Sequence, residues 1–257
     1  MYLTITVTPY TNDKDKLLGF ANVEIDNKFA LENVRIKEGN FKEFVDLPKY
    51  QVPKKDKNNN NIISSDGKLE YDKKDVFNLS DEVKTAFENA ILEEYHRVML
   101  EGKEKKKKET YQINGEFNIS KVYAAVYNRE FKNQLPIRGF ATVYFGDDIK
   151  LEKVRIKEGE HGLFVDLPKY RTYKRDHGQY VFDKNGEHEY EYRDCFHAIT
   201  TIAEAELSYA ILDAFNRAPV KSQSKENAVS ATNTAGSGNG AEDFDPLTYN
   251  PDFGKGR

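Results

Sequence analysis

Val34-Arg35-Ile36-Lys37-Glu38-Gly39 returns letter for letter as Val154-Arg155-Ile156-Lys157-Glu158-Gly159, 120 positions on (154 − 34). Phe44-Val45-Asp46-Leu47-Pro48-Lys49-Tyr50 returns at the same displacement as Phe164-Val165-Asp166-Leu167-Pro168-Lys169-Tyr170. Gly19-Phe20-Ala21 and Ala90-Ile91-Leu92 return as Gly139-Phe140-Ala141 and Ala210-Ile211-Leu212. Chance does not hold one register across four separated segments. The chain is a tandem duplication of a unit of about 100 residues, ordinary single-domain size.

Outward from the repeated stretch, each unit reads as a meander closed by a helix. Residues 2–8 alternate Leu3, Ile5 and Val7 with Tyr2, Thr4, Thr6 and Thr8, a half-buried strand. A second strand covers 18–25, and Asp26-Asn27 supplies turn chemistry. Phe29, Leu31 and Val34-Arg35-Ile36-Lys37 make a third strand; 44–47 is its partner, ended by Pro48. Residues 53–75 read as an irregular loop that carries at most a weak hairpin. From 80 to 100 the period changes: Val83, Phe87, Ala90, Ile91, Tyr95 and Val98 follow helical spacing, with Ser80 as N-cap and Gly102 as terminator. In the second unit the first strand is 119–126. Asn185-Gly186 between 179–182 and 189–192 signals a hairpin, and Ile202, Ala203, Leu207, Ala210, Ile211 and Phe215 mark the helix.

The expected organisation is a first unit over 1–101, a charged linker over 102–116, a second unit over 117–217 and a disordered tail over 218–257. The tail is rich in Ser, Asn, Thr, Ala and Gly up to 241, too polar to offset the entropy of ordering. Its last stretch, from Glu242-Asp243-Phe244-Asp245 to Phe253, interleaves acids with aromatics and reads either as an unselected tail or as a short docking motif for a protein partner. The fold class is α+β: two tandem units, each an antiparallel β-meander with a C-terminal α-helix.

Composition narrows the function. Net charge is −4, so attraction to nucleic acid must come from a local patch. A single cysteine, Cys195, excludes a disulfide framework within the chain and fits a cytoplasmic location. No signal peptide or membrane span is visible, so no membrane partner is expected. Cys195-Phe196-His197, with His177 and His188, is not a structural zinc pattern. No P-loop, G-x-S-x-G, H-E-x-x-H or G-x-G-x-x-G motif occurs, so neither an enzyme nor a cofactor is expected. Asp46 and Asp166 sit in identical contexts that suit turn hydrogen bonds.

The second unit's Phe140-Ala141, Val154-Arg155-Ile156, Gly159, Gly162-Leu163-Phe164-Val165, Pro168, Arg171-Thr172, Tyr192-Arg193-Asp194, His197 and residues 210–216 resemble the SpoVG family, the stage V sporulation protein G family of septation regulators. The first unit resembles it most clearly in Ala90-Ile91-Leu92-Glu93-Glu94-Tyr95-His96-Arg97. The resemblance implies a cytoplasmic, non-enzymatic regulator that binds DNA or RNA and influences sporulation, septation or gene expression. It implies an antiparallel sheet with a C-terminal helix, and a homodimer. A tandem copy then suggests an internal pseudo-dimer within one chain; pairing of each unit with its counterpart in another chain is the alternative.

The family attributes nucleic-acid contact to basic residues near the helix start. There the first unit has Lys84 and the second Glu204, and Ala86 is matched by Glu206. The candidate contacts are Lys49, Lys54, Lys55, Lys73, Lys74 and Lys84 in the first unit, and Lys169, Arg171, Lys174, Arg175 and Arg193 in the second. All follow the Leu-Pro strand end, in the long loop or at the helix start. Tyr50, Tyr170 and Tyr173 lie among them and suit stacking on unpaired bases. Arg35, Lys37, Arg155 and Lys157 alternate with apolar residues and read as the wet face of a strand. A second function class fits Glu204, Glu206 and the acidic-aromatic tail: a protein-interaction or assembly module that has lost nucleic-acid binding.

Overall fold

The computed structural model of the chain describes residues 1–12, 16–101, 108–131 and 134–219. Gly102, which is expected to end the first helix, residues 103–107 of the charged linker and the expected disordered tail from 220 onward lie outside the described residues.

In the first unit β1 (Tyr2–Asn12), β2 (Leu17–Ile25), β3 (Phe29–Glu38) and β4 (Glu43–Asp46) form the antiparallel meander that the alternation predicts. Leu3, Ile5, Val23, Ile25 and Leu31 all point into the core. Asp26 and Asn27 take φ of 50° and 53°, the left-handed pair that matches a hairpin turn to the twist of its strands. β5 (Lys49–Pro53) and β6 (Tyr71–Asp75) then form a separate two-stranded ladder. β7 (Phe77–Leu79) and α1 (Asp81–Glu101) complete the unit. The stretch read as linker contains a strand, β8 (Glu109–Gln112), which pairs with the outer edge of β1 from Tyr2 to Ile5.

The second unit repeats the plan with β9 (Ile119–Phe131), β10 (Gln134–Phe145), β11 (Ile149–Gly159) and β12 (Gly162–Asp166). β13 (Lys169–Tyr173) pairs with β16 (Tyr190–Asp194), and the short hairpin β14 (Arg175–Asp176) and β15 (Gln179–Tyr180) lies between them. β17 (Phe196–Ala198) and α2 (Thr201–Arg217) follow.

The two units exchange a strand. β7 pairs with β11 of the second unit (Leu79 with Ile149, Phe77 with Leu151), and β17 pairs with β3 of the first (Ala198 with Phe29, Phe196 with Leu31). Ile149 and Leu151 are the repeat counterparts of Phe29 and Leu31, so the exchange is symmetric. One chain therefore forms an internal pseudo-dimer. Its centre is aromatic: Phe117 stacks on Phe145 at 4.3 Å, Phe29 on Phe196 at 5.3 Å and Phe77 on Phe196 at 5.7 Å. These rings come from both units and belong to one continuous core.

The helices close their sheets unequally. α1 buries Val83, Phe87, Ala90, Ile91, Tyr95 and Val98 as the spacing predicts, and α2 buries Ala203, Leu207 and Ile211. Thr200 caps α2 by accepting from Ala203 N at 3.1 Å. Ser80 stands at the same place before α1, but its hydroxyl donates to Asp148 of the second unit at 2.8 Å. The expected N-cap is thus a brace between units. A second shared detail is a bulge in the third strand, where Asn33 and its counterpart Lys153 take φ of 58° and 63° and the β2–β3 and β10–β11 registers each skip. A bulge turns neighbouring side chains, here beside Glu32 and Glu152.

Candidate nucleic-acid interface

Asp46 and Asp166 end the fourth strand of each unit and gather the cations around them. Lys37 reaches Asp46 at 2.6 Å, and Lys49 binds Asp46 and also lies 3.3 Å from Asp75. Arg155 and Lys157 each reach Asp166 at 2.8 Å, and Lys169 joins Asp166 to Asp194. Burial alone would raise both carboxyls, but the ion pairs outweigh it and hold them below the usual carboxylate range. Two expectations change here. Arg155 is only 5% exposed, so it belongs to a buried ion cluster, not to a wet strand face. Lys49 and Lys169 are held half-buried by two carboxylates each, so they brace the strand end and are poorly placed to meet phosphate.

The residues following these lysines bind the units to each other. The Tyr50 hydroxyl donates to Glu152 at 2.8 Å, and Tyr170 lies against Glu32. Tyr50 is 5% exposed, so it offers no ring to an incoming base, contrary to expectation.

Beyond the tyrosines the long loops form two matching arms. In the first, Lys54 N donates to Glu70 O, Glu70 N to Ile62 O and Ile62 N to Lys54 O, a closed three-way junction. Lys174, Glu189 and Val181 repeat that junction in the second. The ion pairs Lys54–Glu70 (3.0 Å) and Lys174–Glu189 (2.7 Å) sit on top of it. The junction and the Lys–Asp pairs show that the arms' return strands match at a displacement of 119 (194 − 75), not 120. Arg193 therefore corresponds to Lys74, Tyr192 to Lys73 and His197 to Asn78. Asn185-Gly186 does make the expected turn, with Gly186 alone at positive φ (79°) and Asp183 accepting from the backbone of Asn185 and Glu187.

The arms differ in what they leave free. On the second, Arg171 stacks over Tyr190 at 4.0 Å, Arg175 over Tyr180 at 4.4 Å, and Arg193 pairs with Glu191 at 2.5 Å. Tyr173, the remaining stacking candidate, packs between His188 and Tyr190 at 4.5 and 5.0 Å. Every cation expected there is engaged within the arm. On the first arm Lys55, Lys73 and Lys74 are exposed and have no ion-pair partner among the described residues.

The helix starts differ in sign. Lys84 is half-exposed and 4.0 Å from Glu88. Burial raises the Glu88 carboxyl, and the charges of Lys84, Lys42 and Lys49 act on it in the opposite sense. In the second unit Ser208 replaces Glu88 and Glu204 replaces Lys84. A shallow groove there is lined by Leu167, Asp194, His197, Glu204 and Ser208.

Sequence reasoning missed Lys42 and Lys153. Lys153 lies 5.0 Å above the Tyr50 ring; burial, then nearby Lys74, lowers its pKa. Its left-handed backbone has no local signature, and its only signal is its match to Asn33. Cys195 is buried, donates to Pro168 O at 3.1 Å and has its thiol pushed up to about 12 by burial, so it is a packing residue. No metal-sized cluster of His, Cys, Asp or Glu occurs among the described residues.

A strand-exchanged pair of α+β units that share one core is the class of protein that these features define. Residues 1–97 and 121–217 each match the SpoVG family, and the chain belongs to that family in two tandem copies. The family is regulatory and non-catalytic and is associated with sporulation and septation. No curated protein and no solved structure matches the chain. No helix among the described residues is long and apolar enough to cross a membrane.

Proposed function

We propose that the chain is a cytoplasmic regulator that binds DNA or RNA through the first unit. The observation that carries this reading is the set Lys55, Lys73 and Lys74 on the first arm, exposed and without an ion-pair partner among the described residues, together with the half-exposed Lys84 of α1. Phosphate contacts need ammonium groups without counter-ions, and releasing condensed cations from the nucleic acid drives the association. The second unit's candidate cations Lys169, Arg171, Lys174, Arg175 and Arg193 are held by carboxylates or tyrosine rings and its helix start is acidic, so it serves as the structural half of the pair.

Fluorescence anisotropy with single-stranded DNA, duplex DNA and RNA at ~50 and ~200 mM salt tests the reading. Binding should weaken steeply with salt. Lys55→Glu with Lys73→Glu and Lys74→Glu should abolish it, and Arg171→Glu with Arg193→Glu should change it little. Binding that survives the first set sinks the assignment.

The exposed Glu204 and Glu206 of α2 favour a second reading, a protein-interaction module. Absence of binding to all three nucleic acids at low salt, together with a partner lost on deleting 221–257, would decide for it.

A further inference from the structure

β1 and β9 hold the same place at the ends of their sheets, since Val7 pairs with Ala21 and Ala124 with Ala141. β8 covers the β1 edge, where the Tyr111 hydroxyl donates to Glu94, fully buried on α1, at 3.2 Å. The β9 edge has no partner strand among the described residues. The second unit also lacks the anchor, because Ala214 stands where α1 has Glu94. Residues 121–127 of that edge contain no proline and no acid. Their one lysine, Lys121, lies over the Tyr123 ring at 4.4 Å. The β9 register against β10 is regular from Lys121 to Val126, and a charge-poor edge of this kind is a template for another strand.

α2 carries a second departure from the repeat. Ile202 and Tyr209, 71% and 75% exposed, replace Glu82 and Asn89 of α1. Seven residues apart, they share one side of the helix, turned away from the groove that Glu204 and Ser208 line near Val165 and Leu167. Polar positions of the capped unit have thus become apolar in the uncapped one.

We propose that the β9 edge docks a second copy of this chain, the two β9 strands pairing antiparallel about a two-fold axis through Ala124. The strand's self-complementarity selects this occupant. Residues 121, 123, 125 and 127 are exposed on the outer face, and Val122, Ala124 and Val126 lie half-buried on the helix face. A two-fold axis perpendicular to the sheet keeps each face with its own kind. It sets Val122 opposite Val126, Tyr123 opposite Ala125 and Lys121 opposite the Tyr127 ring. No like charges meet, and branched and cation–aromatic pairs are the ones that stabilise neighbouring strands. The contact is isologous and closes on itself, using the edge once.

Sedimentation equilibrium of the full chain over a concentration series is the test. The expected mass is twice 29.6 kDa. Tyr123→Lys with Ala125→Lys sets ammonium opposite ammonium on both sides of the axis and should weaken association about tenfold or more. Both positions are exposed, so the fold itself should survive, as an unchanged circular-dichroism spectrum will show. Tyr123→Glu with Ala125→Lys restores opposite charges in the same register and should restore the dimer. A wild-type chain that stays at 29.6 kDa throughout overturns the proposal, including the case in which its own tail covers the edge. So does a dimer that the lysine pair leaves intact.

Discussion

The Tyr50 hydroxyl of the first unit donates to Glu152 of the second at 2.8 Å, and Tyr170 meets Glu32 at the related position. Each tyrosine follows the lysine that braces a strand end, and each glutamate adjoins the bulge residue of the opposite unit. The contact therefore joins the root of each arm to the other unit's sheet.

These tyrosines should titrate late. Burial first, then the facing glutamate, pushes Tyr170 up to about 12 and moves Tyr50 in the same direction. A raised folded value means that the stabilisation is complete below the ordinary tyrosine value near 10 and is lost as pH rises through about 12. Absorbance titration should show, among the 16 tyrosines, a late-ionising class that includes Tyr50, Tyr170 and Tyr111, the last pushed up to about 12 by burial and by Glu94. Tyr50→Phe should cost about 1 kcal/mol in urea unfolding and remove one of them.

At acid pH the strand-end aspartates govern. Their folded values lie below the ordinary 3.8, so their stabilisation is present above that value and is lost as pH falls through the folded one. Asp166→Asn removes the carboxylate that Arg155, Lys157 and Lys169 share and should cost about 3–5 kcal/mol at neutral pH. Stability measured against pH should also flatten at the acid end in that variant.

The repeated glycines should respond unequally. A Cβ at Gly139 would stand 2.5 Å from the Phe215 ring and 2.6 Å from Ala125 O, whereas at Gly19 its nearest neighbour, Thr8 O, is 3.0 Å away. Gly139→Ala should lose about 1–3 kcal/mol, more than Gly19→Ala, as denaturant midpoints will show.

Phe196 belongs to the second unit's sequence but pairs with the first unit's sheet. Phe196→Ala should therefore cost about 3–5 kcal/mol and lower one shared thermal transition. Two separate transitions, with only one affected, would contradict a common core.

Lys84→Glu should put at the first helix start the acid that Glu204 places at the second. On the proposed function, anisotropy should show weaker nucleic-acid binding and a salt slope shallower by about one unit. Equal binding before and after would place the contact surface elsewhere.

Much of the fold is legible from side-chain period alone. Alternation over 2–8, 18–25 and 29–37 marks the strands, and the helical spacing from Val83 to Val98 marks α1, because both arise from local geometry that each segment carries with it. The matched six-residue stretch reveals the duplication by counting. The arms are less legible: 53–75 reads as loop, yet its backbone groups satisfy one another across the Lys54, Ile62 and Glu70 junction. The site is legible as a set of lysines and arginines and no further.

Which of those cations stay free is a matter of what folding brings beside them. Glu189 reaches Lys174, and Asp75 reaches Lys49, across loops whose lengths hide the pairing, and a one-residue shift in the second arm misaligns the counterparts when they are simply counted. The exchange of β7 and β17 is hidden for the same reason. Three-residue strands carry too little pattern to name a partner, so their placement follows from the shared burial of Phe77, Phe117, Phe145 and Phe196. Local period and turn chemistry set the elements. Long-range burial and ion pairing, which depend on the whole chain at once, decided how two units became one body and which cations were left free.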